Sequence, residues 1–183
     1  MSNQPPRPLT PDEQTKDAGR RSPSKRRTPL SCFDRAVRIL ALRDHSRAGL
    51  HRKLAAAGHS AAEIEEALAR LESLGYLDDE RFAAEYARQL SGSGKVGQMA
   101  AVRKLLLAGI GRSEAVSAAA QAFQGVDERA QAEALIRRRF PQVADGTGDT
   151  KAKARAARFL AGRGFSGGVI AQVLKADGGD FGA

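Results

Sequence analysis

The chain has 183 residues and a mass of 19.5 kDa, is 42% hydrophobic and 28% charged, and sets 30 Lys+Arg against 21 Asp+Glu for a net charge of +9. Its single cysteine, Cys32, excludes an internal disulfide framework and a cysteine-based zinc finger, and no apolar run suffices for a membrane span or a secretory signal. These exclusions leave a soluble protein of the cytoplasm, whose surplus of positive charge suits nucleic acid or an acidic protein surface.

In chain order, residues 1–31 come first, with six of the seven prolines and few large apolar side chains. They bury too little surface to offset the entropy of ordering, so they read as a disordered basic arm. Its cluster from Arg20 to Arg27 either touches phosphates or keeps the chain in solution. From Cys32 onward apolar residues recur at spacings of three and four, and no alternating run predicts a strand. The first predicted helix carries Phe33, Ala36, Val37 and Leu40. Ser46 starts the second (Leu50, Leu54), which Gly58 ends. Ser60 starts the third (Ile64, Leu68, Leu71), and Asp78 the fourth (Phe82, Tyr86, Leu90). The fifth places Met99, Val102, Leu105 and Leu106 inward and closes at Gly109. The sixth opens at Ser113 with Val116, Ala119, Ala120 and Phe123 inward. The seventh runs from Asp127 to Pro141, and Thr150 opens an eighth that stops at Gly164. Ser166 caps a ninth, and Gly178 begins a frayed tail.

A repeat is visible in these nine helices. Leu54, Leu105 and Leu160 are each followed after three residues by a glycine (Gly58, Gly109, Gly164), and the glycines stand 51 and 55 residues apart. The unit is therefore a three-helix module of about fifty residues, marginal alone and stabilised by abutting its neighbours. The expected organisation is an arm (1–31), repeats at 32–77, 78–125 and 126–177, and a tail (178–183). The fold class is all-α, an elongated, curved array with a hinge at Val143 to Asp149. The charge alternates along it: residues 60–85 hold eight acids and two bases, whereas no acid lies between Glu85 and Glu114 or between Asp149 and Asp177.

The most distinctive string runs from Gly75 through Tyr76, Leu77, Asp78, Asp79, Glu80, Arg81 and Phe82 to Ala83. Physically it is a helix stop followed at once by a helix start, with Asp79 and Glu80 complementing the new helix's dipole. Together with Leu105, Gly109 and Ile110, and with Gly164, Phe165, Val169, Ile170, Val173 and Leu174, it resembles the bacterial RecX family over roughly residues 34–175. The resemblance implies three tandem three-helix repeats that bind the RecA filament and restrain it, with no enzymatic activity and no cofactor. The basic arm is not a common feature of that family, and Ala115 stands where a larger apolar residue is usual.

Candidate contact residues follow from charge. Lys151, Arg155 and Arg158 fall within about 60° of one another on a helix, a ridge free of acids that suits phosphates or an acidic filament groove. Arg103, Lys104, Arg137, Arg138 and Arg139 extend it. Glu63, Glu66, Tyr76, Asp78, Asp79 and Arg81 are candidates for the surface facing RecA. The alternative is a non-specific, nucleoid-associated DNA-binding protein acting through the arm and the third repeat on single- or double-stranded DNA. A monomer is expected in either case. Gly92 to Gly97 matches a dinucleotide-binding glycine pattern but follows a helix rather than a strand, so it reads as a connector. His45, His51 and His59 are not spaced for a metal.

Overall fold

The computed structural model describes residues 30–175; most of the predicted arm and all of the predicted tail lie outside these residues. Ten helices are described: α1 (Cys32–Leu42), α2 (Arg47–Ala56), α3 (Ala61–Ser73), α4 (Asp79–Gly92), α5 (Gln98–Ala108), α6 (Arg112–Phe123), α7 (Glu128–Arg139), α8 (Pro141–Ala144), α9 (Thr150–Gly162) and α10 (Gly167–Lys175). Among the described residues there is no strand, and no helix is long and apolar enough to cross a membrane.

Each start has a local cause. Ser46, Ser60, Asp78, Asp127 and Asp149 cap their helices through side-chain oxygens that accept from a backbone N–H inside the first turn. At Ser60 the Glu63 carboxylate returns the bond, completing a capping box. The repeated Leu-x3-Gly string is a helix terminator. In each copy the N–H after the glycine donates to the leucine carbonyl: His59 to Leu54, Ile110 to Leu105 and Phe165 to Leu160. Gly58, Gly109 and Gly164 take φ of 90°, 96° and 82°, which a side chain would strain.

The core is divided. One cluster joins α1–α3 around Leu50, Leu54, Ile64, Leu68 and Leu71. A second joins α4–α6 through Ala83, Ala87, Ala101, Ala115 and Ala119 with Leu105 and Phe123. A third joins α7–α10 around Leu135, Ile136, Val143, Leu160 and Val173. The main helix pairings all fall inside these groups. The middle core is built largely of alanine, and this overturns part of the predicted inward face. Met99, Leu106 and Val116 are exposed, because alanines let the backbones approach closely and leave little room for larger side chains; Val37 on α1 is exposed too, at the edge of the first core. The segment predicted as a hinge begins in a short helix and is largely exposed from Asp145 to Asp149. Pro141 opens the one-turn α8, Val143 is buried in the third core, and Thr147 Oγ1 donates to the Gln142 carbonyl.

What joins the groups is a column of second helices, α2, α5 and α9, set head to tail. At the first junction the Ser46 hydroxyl donates to the Ala108 carbonyl, and Arg52 Nη2 reaches the Leu107 and Ala108 carbonyls at 3.1 and 3.4 Å. At the second, Gly97 N–H donates to Arg163 O (2.9 Å), Met99 N–H to Gly164 O (3.2 Å), and Arg103 Nη2 to Gly162 O (3.3 Å). A carboxylate from the following group closes each junction: Asp79 accepts from Arg47 N–H and Glu128 from Gln98 N–H, both at 2.6 Å. Donors and carbonyls that each helix end leaves unpaired thus find one another.

Three glycines in the same backbone conformation provide a controlled test of this junction. A methyl at Gly109 would sit 2.3 Å from Ala48 Cβ and one at Gly164 2.2 Å from Ala100 N, whereas Gly58, at the open end of the column, has nothing within 4 Å. Gly58→Ala should cost about 1–2 kcal/mol for the left-handed backbone alone, and Gly109→Ala and Gly164→Ala about 1–3 kcal/mol more from overlap. Urea unfolding midpoints check this, and equal losses at all three sites would refute the packing account. Acid also probes the fold. Hydrogen bonds from Ser60, Arg47 and Arg88 hold the carboxyls of Glu63, Glu65 and Glu85, respectively, below their ordinary values. Their stabilising contribution is complete above the unfolded value of about 4.3 and is lost as pH falls through the folded values. His45, whose folded pKa is lowered by burial and by Arg43 and Lys53, removes stability as pH falls through its unfolded value of about 6.5. The Tm should therefore decline modestly below about 6.5 and further below about 4.3; a Tm that rises on acidification would contradict this.

Candidate partner-binding surfaces

The acidic segment is largely engaged in holding the fold. Glu63 belongs to the capping box, Asp78 caps α4, and Asp79 closes the first junction. Glu65 and Glu72 pair with Arg47 at 2.7 and 2.8 Å, and Glu85 pairs with Arg88. Glu66 and Glu80 remain exposed without an ion pair among the described residues. Tyr76 is 62% exposed beside an exposed Leu74, and Arg81 Nη2 contacts the Gly75 carbonyl at 3.5 Å. Of the six residues expected to face RecA, Glu66, Tyr76 and Arg81 thus have the most freedom to meet a partner.

The basic residues show the opposite pattern. Lys151, Arg155 and Arg158 are exposed on α9, and Arg137, Arg138 and Arg139 on the last turn of α7, where their charge also complements the helix dipole. None of the six forms an ion pair among the described residues. The Phe140 and Phe159 rings, 5.5 Å apart, bring the residue that follows the triplet against α9. Arg103 and Lys104 diverge despite being adjacent: Arg103 braces the second junction, whereas Lys104 lines a cleft at the first.

The repeat also accounts for Arg158. Arg52, Arg103 and Arg158 each stand six residues before the glycine of their repeat. The first two grip helix-end carbonyls of the next group. Among the described residues no further three-helix group follows the third, so Arg158 projects from α9 with that role unfilled. The donor fork of such an arginine fits carbonyls, carboxylates and phosphates.

The cleft that Lys104 lines lies between the first two groups, is open to solvent and encloses about 800 Å³. Arg43, Arg52 and Lys53 line it too, with Phe82 and Tyr86 in its wall. The two rings lie 5.6 Å apart. Burial first, then the charges of Arg43 and Lys53, lower the His45 pKa against a smaller opposing effect of Asp44. Arg43, Arg52 and Lys53 were not among the predicted contact residues, because their convergence with Lys104 depends on a contact between groups.

Cys32 is buried, and that burial above all, then the Glu63 charge, raises its thiol pKa and disfavours the thiolate, with Arg35 opposing. Among the described residues no group of three or more His, Cys, Asp or Glu is placed to hold a metal.

Residues 32–71 match the first three-helix domain of RecX and residues 127–174 the third. The Regulatory protein RecX of Xanthomonas axonopodis pv. citri (strain 306) is 40% identical over 166 residues, spanning 91% of this chain and 98% of that protein. Its counterpart in Stenotrophomonas maltophilia (strain R551-3) is 35% identical over 159 residues, 87% of this chain and 93% of that one. The crystal structure of RecX from Lactobacillus salivarius shares the fold with a TM-score of 0.63 at 17% identity, covering 79% of this chain and 93% of that one. A second crystal structure of a regulatory protein RecX has a TM-score of 0.67 at 21% identity, covering 79% and 70%. With extended identity to its relatives and two of the family's three-helix domains matched, the chain belongs to the RecX family of regulatory proteins.

Proposed function

We propose that this chain is a non-catalytic regulator that binds the RecA–DNA filament and restrains RecA ATPase, filament extension and strand exchange in recombination and repair. Membership of a family of regulatory proteins supports the regulatory role. The observation that carries the filament reading is the third group's cationic surface: six exposed bases on α7 and α9, none of them ion-paired among the described residues. An intramolecular role would have provided partners, as Arg47 has in Glu65 and Glu72. The second helices, of 10, 11 and 13 residues, give the column a contour of about 50 Å, long enough to touch more than one protomer of a polymer. In this reading the array lies along the filament, and Lys151, Arg155 and Arg158 meet acidic protein or phosphate. Non-catalytic action agrees with the use of Asp78, Asp127 and Asp149 as helix caps.

The second reading, non-specific DNA binding, draws on the same unpaired cations and on the cleft between the first two groups. RecA ATPase and strand exchange on single-stranded DNA separate the two. Substoichiometric protein should lower both rates. Lys151→Glu, Arg155→Glu and Arg158→Glu combined should raise the concentration for half-inhibition about tenfold or more, taking about 0.5 kcal/mol for each of three exposed charge pairings. Tight DNA binding without any change in either rate would refute filament regulation, and undiminished inhibition by the triple variant would remove α9 from the interface.

A further inference from the structure

The cleft between the first and second groups brings four cations, Arg43, Arg52, Lys53 and Lys104, beside two aromatic rings that also pack against the second core. Its size falls among ligand sites of about 300–1,000 Å³, room for a few nucleotides of one strand and not for a duplex. We propose that this cleft is a binding site for single-stranded nucleic acid, with the phosphodiester backbone along Arg43, Arg52, Lys53 and Lys104 and a base stacked on Tyr86. The site takes the bare strand, so it goes beyond the filament reading and does not depend on RecA.

Four cations line the cleft, and none has an acid partner among the described residues. Arg52 is already oriented: its Nη2 is held by the Leu107 and Ala108 carbonyls, which leaves Nε and Nη1 for a phosphate. Burial first, and then the nearby charges of Arg43 and Lys53, lower the His45 pKa, which places both cations close to the cleft wall. Of the two acids in the lining, Glu85 is paired with Arg88, so the balance of free charge is cationic.

Charge alone would equally suit an acidic peptide, and the aromatic wall decides between them. Phe82 and Tyr86 are half-buried on successive turns of α4, held by packing against the second core and part of the cleft wall. A nucleic acid uses both features, phosphate on the cations and base on the ring, and stacking needs no particular base. A polyglutamate-like segment would use only the first.

Anisotropy titrations of the full chain with labelled oligothymidylate across a range of salt concentrations provide the test. Lys53→Gln with Lys104→Gln should make the log–log salt dependence shallower by about 1.4, at about 0.7 for each phosphate that a lysine no longer neutralises. Lys95→Gln with Lys175→Gln, outside the cleft, should leave it unchanged; an equal change in both pairs would mean that charge acts without a site, and would overturn the proposal. The chain has two tyrosines and no tryptophan, so in a Tyr76→Phe background the tyrosine emission reports Tyr86 alone. Oligothymidylate should quench that emission, and a polyglutamate peptide should neither quench it nor displace the oligonucleotide. Absent quenching, or displacement by polyglutamate, would overturn the proposal and assign the cleft to an acidic protein segment. No RecA is present in these measurements, so their failure and the failure of filament regulation are read independently.

Discussion

Every α-helix ends with backbone groups that it cannot pair within itself. In this chain those ends form the joints of the array. The N-terminus of α2 faces the C-terminal carbonyls of α5, and the N-terminus of α5 faces those of α9. With three separate cores, the groups are held to one another by these polar junctions and by the close approach of Gly109 to Ala48 and of Gly164 to Ala100. A side chain at either glycine would push two groups apart. The dipoles of the three helices run in series, and Asp79 and Glu128 place negative charge at two of the N-termini.

This constraint governs how charge is used. Acids go to caps, junctions and the Arg47 pairs, which hold the array together. Bases are largely left over and remain at the surface. The net charge of the chain is therefore less informative than its distribution: negative charge is committed to structure, while positive charge is available to a partner. Arg158 shows this in one residue, since its two counterparts in the repeat, Arg52 and Arg103, are bound to carbonyls within the chain.

Much of the fold was legible because local chemistry specifies it. Ser46, Ser60 and Asp78 announce helix starts, and each Leu-x3-Gly string announces a stop whose hydrogen bond spans only five residues. Met99 and Val116 were expected inward because a hydrophobic stripe favours the largest apolar side chains, whereas the second core selects alanine for close approach. Pro141 ends α7 and also begins α8, a double role that a single stop signal does not convey. The candidate surfaces divide along the same line. The α9 ridge lies on one helix and follows from 3.6-residue spacing. The junction roles of Asp79 and Arg103 join residues 32 and 59 positions from their partners. The cleft brings Arg43, Arg52 and Lys53 to Lys104 across a contact between groups, which no pattern within one helix encodes.

We propose that the jointed helical array presents its cations to the RecA filament while its acids hold the joints. Hydrogen exchange of the full chain, free and bound to RecA filaments on single-stranded DNA, tests it most directly. The account predicts slowed exchange on binding across Lys151 to Arg158 of α9, with the α2–α5 and α5–α9 junctions protected in both states. Unchanged exchange in α9 together with new protection confined to the exposed acids of α3 and α4 would contradict it.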